Sequence, residues 1–562
     1  MLSSNIIIDI FKNMKLIKFS TITLAAVAIT ACNDVNTAYY QGGTLTEEQL
    51  GDVNNAIPER AEALFTGMFA MMGEPNGCLG DSRPDDYGFI MMAMSNDLEG
   101  PDAWMDDNDY NWFSTCGEWS SRNANYANPY IRYIAPYKQM KIANDVLRNY
   151  PEDLTNPNNT NHRAQARAIR AFDLMSLAYA FQFNYVDHMD DPCIPIVTEH
   201  TLDAANNPRA TVKEVYEQIL EDLNYACEHL ENYKPSNKNE VSGAVAYGLR
   251  ARAYLAMEEW KKAADDATKA IELSGCQPAS IADLQKPAFY DIEDKNWLWG
   301  VDMTTKMANT YPWATCCSWI VSFSADSFSA GTGTYVHINK LLYDKISSTD
   351  VRKGWWLDEN LHSDNLSQCS WGGATGDDIA LLEIDDVKFK MDKYTNVKFG
   401  MYSGIGSEIN DNDWPLMRVE EMILIKAEGL IKSGDNSGMS VLENFVKTYR
   451  DPSYDLNSKL ANAIDPTEGL NNEIWFQRRV ELWGEGFGMS DIMRLKKPIV
   501  RFHSANDPYP AAFQFNVEYG DPYTLLRFPQ TEKDNNKAIV DNQGGSKPSA
   551  GMNPNLRDGV TD

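Results

Sequence analysis

Indole rings and polar side chains gather in two stretches of this chain. Asn96 and Asp97 precede Trp104, Trp112 and Trp119 within residues 81–128, and Trp313, Trp319, Trp355, Trp356 and Trp371 fall within 286–407. A flat ring covers the C–H face of a sugar, while Asn, Asp, Arg and Gln bond its hydroxyls, so this mixture is what a carbohydrate site needs. The same rings fill protein cores equally well. Trp475 and Trp483, on a helical pattern beside Arg478, Arg479 and Glu481, are read as structural, as are Tyr179 and Tyr254.

Catalytic signatures are weak. Histidines stand at 162, 188, 200, 229, 337, 362 and 503, with no H-E-x-x-H and no pair one helical turn apart, which argues against a zinc hydrolase. Neither G-x-S-x-G nor a P-loop occurs, and no enzyme is expected. Asp102 to Asn111 (DAWMDDNDYN) crowds oxygen ligands as a calcium loop does, but lacks the glycine and terminal glutamate of an EF-hand. No cofactor is expected; calcium at this loop is the one candidate.

The N-terminal region carries a targeting signal. Lys15 and Lys18 form a basic start after Met14, Phe19 to Thr30 is apolar, and Ile29-Thr30-Ala31-Cys32 has the form of a lipoprotein cleavage box. Cleavage before Cys32 would leave that residue to carry acyl chains, anchoring the protein without a membrane span. Residues 1–13 are read as a start-codon artefact, 14–31 as the signal and 32–562 as one large domain. Net charge is -30, and about -32 without residues 1–31, which disfavours nucleic acid. The other eight cysteines (78, 116, 193, 227, 276, 316, 317, 369) form no C-x-x-C pair and are too sparse for a disulfide scaffold.

Helical periodicity runs through Pro58–Met72, Ile131–Tyr150, Arg163–Phe183, Thr211–Leu230, Met417–Lys432, Ser440–Arg450 and from Asn472 through Phe487 to Arg494. Gly243 to Ser274 reads as a tetratricopeptide-type pair, with Tyr247, Ala251 and Tyr254 on one helix and Ala263, Ala267 and Ala270 on the next. Residues 81–128 and 286–407 read instead as long loops with a few short strands.

These segments together resemble the SusD/RagB family, surface lipoproteins of Bacteroidetes that collect nutrients for a TonB-dependent porin. The resemblance rests on the box at Cys32, ARAIRAFDLMSLAYAFQFNY (166–185), TVKEVYEQILEDLNYA (211–226) and GAVAYGLRARAYLAMEEWKKAADDATKAI. It continues through MRVEEMILIKAEGLIKSGD (417–435), IWFQRRVELWGEGFGMSDIMRLKK (474–497) and LLRFPQTEKDNN (525–536), in the family's order. It differs in Asn33-Asp34-Val35-Asn36, which is not the glycine-rich acidic tether common in that phylum, and in Arg527-Phe528-Pro529 where relatives carry Ile-Pro.

The resemblance implies a mainly α fold, a tetratricopeptide-like helix-pair scaffold supporting a loop-rich ligand-binding half with few short strands. It implies oligosaccharide capture at the outer surface and transfer to a SusC-like TonB-dependent porin, and by region it points to Asn96, Trp104, Trp313 and Trp319 as ligand-binding residues. Two alternatives remain: the same scaffold capturing peptides, as RagB-like relatives do, or a periplasmic tetratricopeptide adaptor. Loop-clustered indoles favour the glycan reading, and the long 286–407 segment disfavours an adaptor with an open concave face.

Overall fold

Small residues at three- and four-residue spacing let helices approach closely, and the scaffold forms where that spacing occurs. The structure is a computed structural model and describes residues 58–562 except 81–82, 107–110, 151, 153, 386, 462 and 464. The signal and Cys32 lie outside the described residues. The chain divides into two compact units, Met1–Ala61 and Glu62–Asp562, and the second holds the helix stack and the loops it carries.

The longer helices are Pro58–Ala70 (α1), Gly88–Glu99 (α2), Asn111–Glu118 (α3), Ala127–Asn149 (α4), Pro157–Phe181 (α5), Val212–Leu230 (α6), Gly243–Ala256 (α7) and Trp260–Ser274 (α8). After a long excursion come Val419–Lys432 (α9), Ser437–Tyr449 (α10), Pro466–Glu481 (α11) and Gly488–Leu495 (α12). Each of α4 to α9 packs on the next, and α11 joins α9, giving a mainly α, tetratricopeptide-like stack of helix pairs. In the α7–α8 pair Ala251, Ala263, Ala267 and Ala270 are buried, and the Arg250 fork clamps Asp266 at 2.6 and 2.9 Å. At Gly429 on α9 a side chain would strike the Trp260 carbonyl of α8, so glycine sets how closely these helices approach. Sequence signals also fix the helix starts: Thr211 and Glu214 form a capping box on α6, and Asp465 caps α11 ahead of Pro466.

The excursion is closed at its neck. Trp297–Val301 (β2), on the way out, pairs antiparallel with Trp414–Arg418 (β6), on the return, in the register Trp297↔Arg418 and Val301↔Trp414. Asp413 fastens the same neck by accepting from the Ile292 and Met303 amides at 2.9 and 2.8 Å. Other strands are short: Ala103–Met105 (β1) pairs with Val336–Ile338 (β3), and Ser370–Trp371 (β4) with Ala374–Thr375 (β5).

Residues 88–99 and 111–118 differ from the loop reading of 81–128, since both are helical. In α2 the run GFIMMAMSNDLE is buried on nearly every side, so it shows no amphipathic period that would have marked it as a helix.

A buried ion network joins helices to loops. Glu481, at the end of α11, accepts from Arg450 at 2.7 and 2.8 Å, from Arg418 at 3.1 Å and from Arg352 at 3.4 Å. Glu485 accepts from Arg418 at 2.8 and 2.9 Å and from Lys398 at 2.7 Å. Burial pushes the Glu481 carboxyl up, but Arg450, Arg418 and Arg352 outweigh it and hold the group well below the usual carboxylate range. Burial in turn lowers the Lys398 ammonium to about 8, against the pull of Glu485.

Asp173 on α5 is the opposite case. It is fully buried, neither carboxylate oxygen has a hydrogen-bond partner, and burial pushes its carboxyl well above the usual range. The folded protein therefore retains a proton that the unfolded chain releases above about pH 4. Stability then falls by about 1.4 kcal/mol per pH unit from that point up to the folded pKa. Asp173→Asn, of the same shape but without the titration, should match the parent near pH 4 and exceed it at pH 7 in urea denaturation. A difference that does not change with pH would contradict this account.

Candidate functional site

The two tryptophan-bearing stretches, far apart in sequence, meet at two places among others. One is the β1–β3 ladder, where Trp104 lies opposite His337. The other is a contact between the turns Pro84–Asp86 and Pro312–Ala314, which the Tyr87 hydroxyl reinforces by donating to the Met307 carbonyl at 2.9 Å.

Half-buried rings accompany the second contact: Trp112 of α3 lies under Arg83, which precedes the first turn, and Tyr311 and Trp313 belong to the other. The Arg83 guanidinium sits 4.8 Å over the Trp112 ring, and its Nε and Nη2 donate to Asp85 at 2.9 and 2.7 Å. That fork fixes the cation in place over the indole. Trp313 is held from behind, because the buried Trp319 indole donates to its carbonyl at 3.0 Å and Phe328 packs 5.9 Å from its ring. Thr315 caps the short helix Cys316–Ile320 that carries Trp319.

A loop from Gly400 to Asp413 is fastened to the same turn. Asn410 donates to the Pro312 and Asp326 carbonyls at 3.0 and 2.9 Å and accepts from Ser324 at 2.5 Å, while Asp411 accepts from Thr305 at 3.1 Å. Tyr402 and Ile409 on this loop are exposed.

The four residues singled out from sequence are not gathered into one surface. Trp104 is 5% exposed, with one face on His337 at a centroid distance of 4.0 Å and 11° between planes, and Tyr509 tilted at 6.1 Å. Trp319 is 0% exposed, stacked on Phe328 at 4.4 Å with Phe113 edge-on at 5.0 Å. Asn96 is buried on α2, accepting from Arg132 and donating to the Tyr179 hydroxyl at 3.2 Å. Of the four, Trp313 alone keeps a partly open face. Tyr311, Tyr402 and the Arg83–Asp85 pair were not singled out. The turn signals R-P-D-D and Y-P-W stood in the sequence, but nothing local says that they touch.

At the proposed calcium loop the Asp102 carboxylate is bound by Arg479 at 2.6 and 2.9 Å, and His337 lies 3.4 Å from Asp106. Residues 107–110 lie outside the described residues. Among those described, no group of three or more His, Cys, Asp or Glu side chains is arranged to hold a metal ion. Cys316 and Cys317 are buried thiols whose ionisation burial pushes up, so neither is an activated nucleophile. The arrangement offers ring faces beside a fixed Arg83–Asp85 ion pair, which suits stacking and hydrogen bonding of a polar ligand.

Comparison with known proteins agrees with this architecture. No curated protein matches the chain. Among solved structures, a SusD-like carbohydrate binding protein from Bacteroides vulgatus superposes with a TM-score of 0.69 at 22% identity, covering 87% of this chain and 98% of that one. A SusD superfamily protein from Bacteroides thetaiotaomicron gives 0.64 at 18%, covering 86% and 99%. A laminarin binding SusD-like protein gives 0.60 at 17%, covering 87% and 99%. Family models match residues 90–255, described as starch-binding associating with outer membrane, and residues 359–544, described as the SusD family. The first match spans most of α2 through α7 and the second runs from the loop-rich half past α12, so with the whole-length fold agreement the chain belongs to the SusD/RagB family.

Proposed function

We propose that this protein is a cell-surface glycan-binding lipoprotein that captures an oligosaccharide and passes it to a SusC-like TonB-dependent transporter in the outer membrane. The observation that carries the glycan reading is the half-buried Trp313 on a turn that touches Pro84–Asp86, next to which the Arg83–Asp85 fork lies over the half-buried Trp112 of α3. Membership of a family whose description includes starch binding, and the structural likeness to carbohydrate- and laminarin-binding proteins, support the same choice. No helix among the described residues is long and apolar enough to cross a membrane, and acyl chains on Cys32 would supply the attachment.

Stacking and neutral hydrogen bonds depend little on salt. Purified protein screened against a glycan panel should therefore yield a binder whose affinity changes little between low and high ionic strength. Trp112→Ala and Trp313→Ala should each weaken it while leaving the melting temperature nearly unchanged. A panel without any glycan binder, together with one among peptides, would move the assignment to a peptide-capturing relative.

The buried rings behave differently. Trp319→Ala and Trp104→Ala should each destabilise the fold by about 3–5 kcal/mol in denaturant titration. A Trp319→Ala protein of parental stability would show that this indole is not the buttress behind Trp313.

Attachment and partner are tested in the native host. Cys32→Ala should abolish acyl labelling and release the protein from outer membranes without unfolding it, and mild-detergent pull-down of the parent should recover a barrel in near-equal amount. Retention of lipid by the variant would refute the anchor, and recovery of the lipoprotein alone would refute docking.

A further inference from the structure

A second site is built from other residues, in a partly open pocket among the helices. Between α2, α5, α7 and α12 lies a cavity of about 170 Å³, walled by Phe172, Met175, Tyr179, Arg252, Phe487 and Met493 among others. A cavity of roughly 150 Å³ already accepts a guest the size of benzene.

The polar part of its wall is specific. Arg252 directs Nε and Nη2 to Glu421 at 2.7 Å each and Nη2 to the Leu416 carbonyl at 2.6 Å, with the Phe487 ring 5.0 Å from its guanidinium. Those bonds hold the fork rigidly and do not engage Nη1. The Tyr179 hydroxyl accepts from Asn96 at 3.2 Å, which leaves its own proton to donate. Asn184 Nδ2 and Arg478 Nη1, also on this wall, are buried without a hydrogen-bond partner, and the Arg478 charge is matched by Asp491, so several donors stand among the rings and thioethers and a guest must bring oxygen acceptors on an apolar body. It should also be neutral. The Arg252 charge is already matched by Glu421, whose side chain is 1% exposed, and a carboxylate guest would meet that buried anion.

We propose that this cavity binds a neutral, one-ring aromatic molecule carrying a carbonyl or similar oxygen acceptor. It does not depend on the glycan reading, because its wall includes neither Trp112, Trp313 nor the Arg83–Asp85 pair. The test uses the purified full chain with ¹³C-methyl-labelled methionine and three compounds: acetophenone (ring and neutral acceptor), benzoate (ring and charge) and toluene (ring alone). Acetophenone should shift the Met175 and Met493 methyl signals with saturation and bind at least about tenfold tighter than benzoate. Tyr179→Phe should weaken acetophenone roughly five- to tenfold and leave toluene unchanged, as loss of one hydrogen bond requires. Ala256→Leu, which fills the cavity, should abolish the shifts while leaving the glycan panel as in the parent. Equal affinity for all three compounds, persistence of the shifts in Ala256→Leu, or no shift up to the solubility of acetophenone would each overturn the proposal.

Discussion

Glu481 takes bonds from three arginines that arrive from three different parts of the chain: Arg450 from the end of α10, Arg418 from β6 and Arg352 from the loop-rich half. Lys398, also from that half, reaches Glu485. Every charge in this group is buried, so each is tolerable only while its partners are present, and removing one costs about 3–5 kcal/mol through the charge left behind. An apolar contact would accept many relative placements of helix and loop. A guanidinium facing two carboxylates accepts very few. The network therefore sets where the loops sit on the helices, and the ring-bearing turns take their position from it. The same logic makes Arg250–Asp266 and Arg170–Asp222, each a two-point fork between neighbouring helices, more than decoration of the stack.

The helical scaffold was readable residue by residue because its signals are local. Ala263, Ala267 and Ala270 repeat at helical spacing and lie on the observed α8, whereas the apolar period places the start of α11 at Asn472, six residues late, because the signal there is the Asp465–Pro466 cap. Helix α2 escaped because burial on all sides erases the period. The ligand-facing half was legible only as composition. Trp313 and Trp319 lie six residues apart in the same turn-rich segment, yet one is half-open and the other wholly enclosed. Which of them faces outward is decided by Phe113, from the other stretch, and by Phe328. Likewise Trp104 is closed by His337, which β1–β3 pairing brings from more than two hundred residues away. Nothing in the neighbourhood of either tryptophan encodes that partner.

Family membership and the cavity among the helices raise separate chemical questions. The loop half presents polar, fixed groups beside half-buried rings, whereas the helical cavity offers a largely apolar volume with several donors on its wall. On the two proposals above, a glycan and a small aromatic compound would be bound through different elements, and the residues of one need not change for the other.

The neck formed by β2 and β6 has an architectural consequence. Val301 and Trp414 are ladder partners, so the whole excursion between them leaves and rejoins the scaffold at adjacent points. Closing such a loop costs free energy that grows only slowly with its length. Lineages could therefore exchange this segment for one of another size and recognition chemistry while keeping the helix stack intact. The graft would carry one obligation: a replacement must still deliver two cations, in the places of Arg352 and Lys398, to the waiting carboxylates of Glu481 and Glu485.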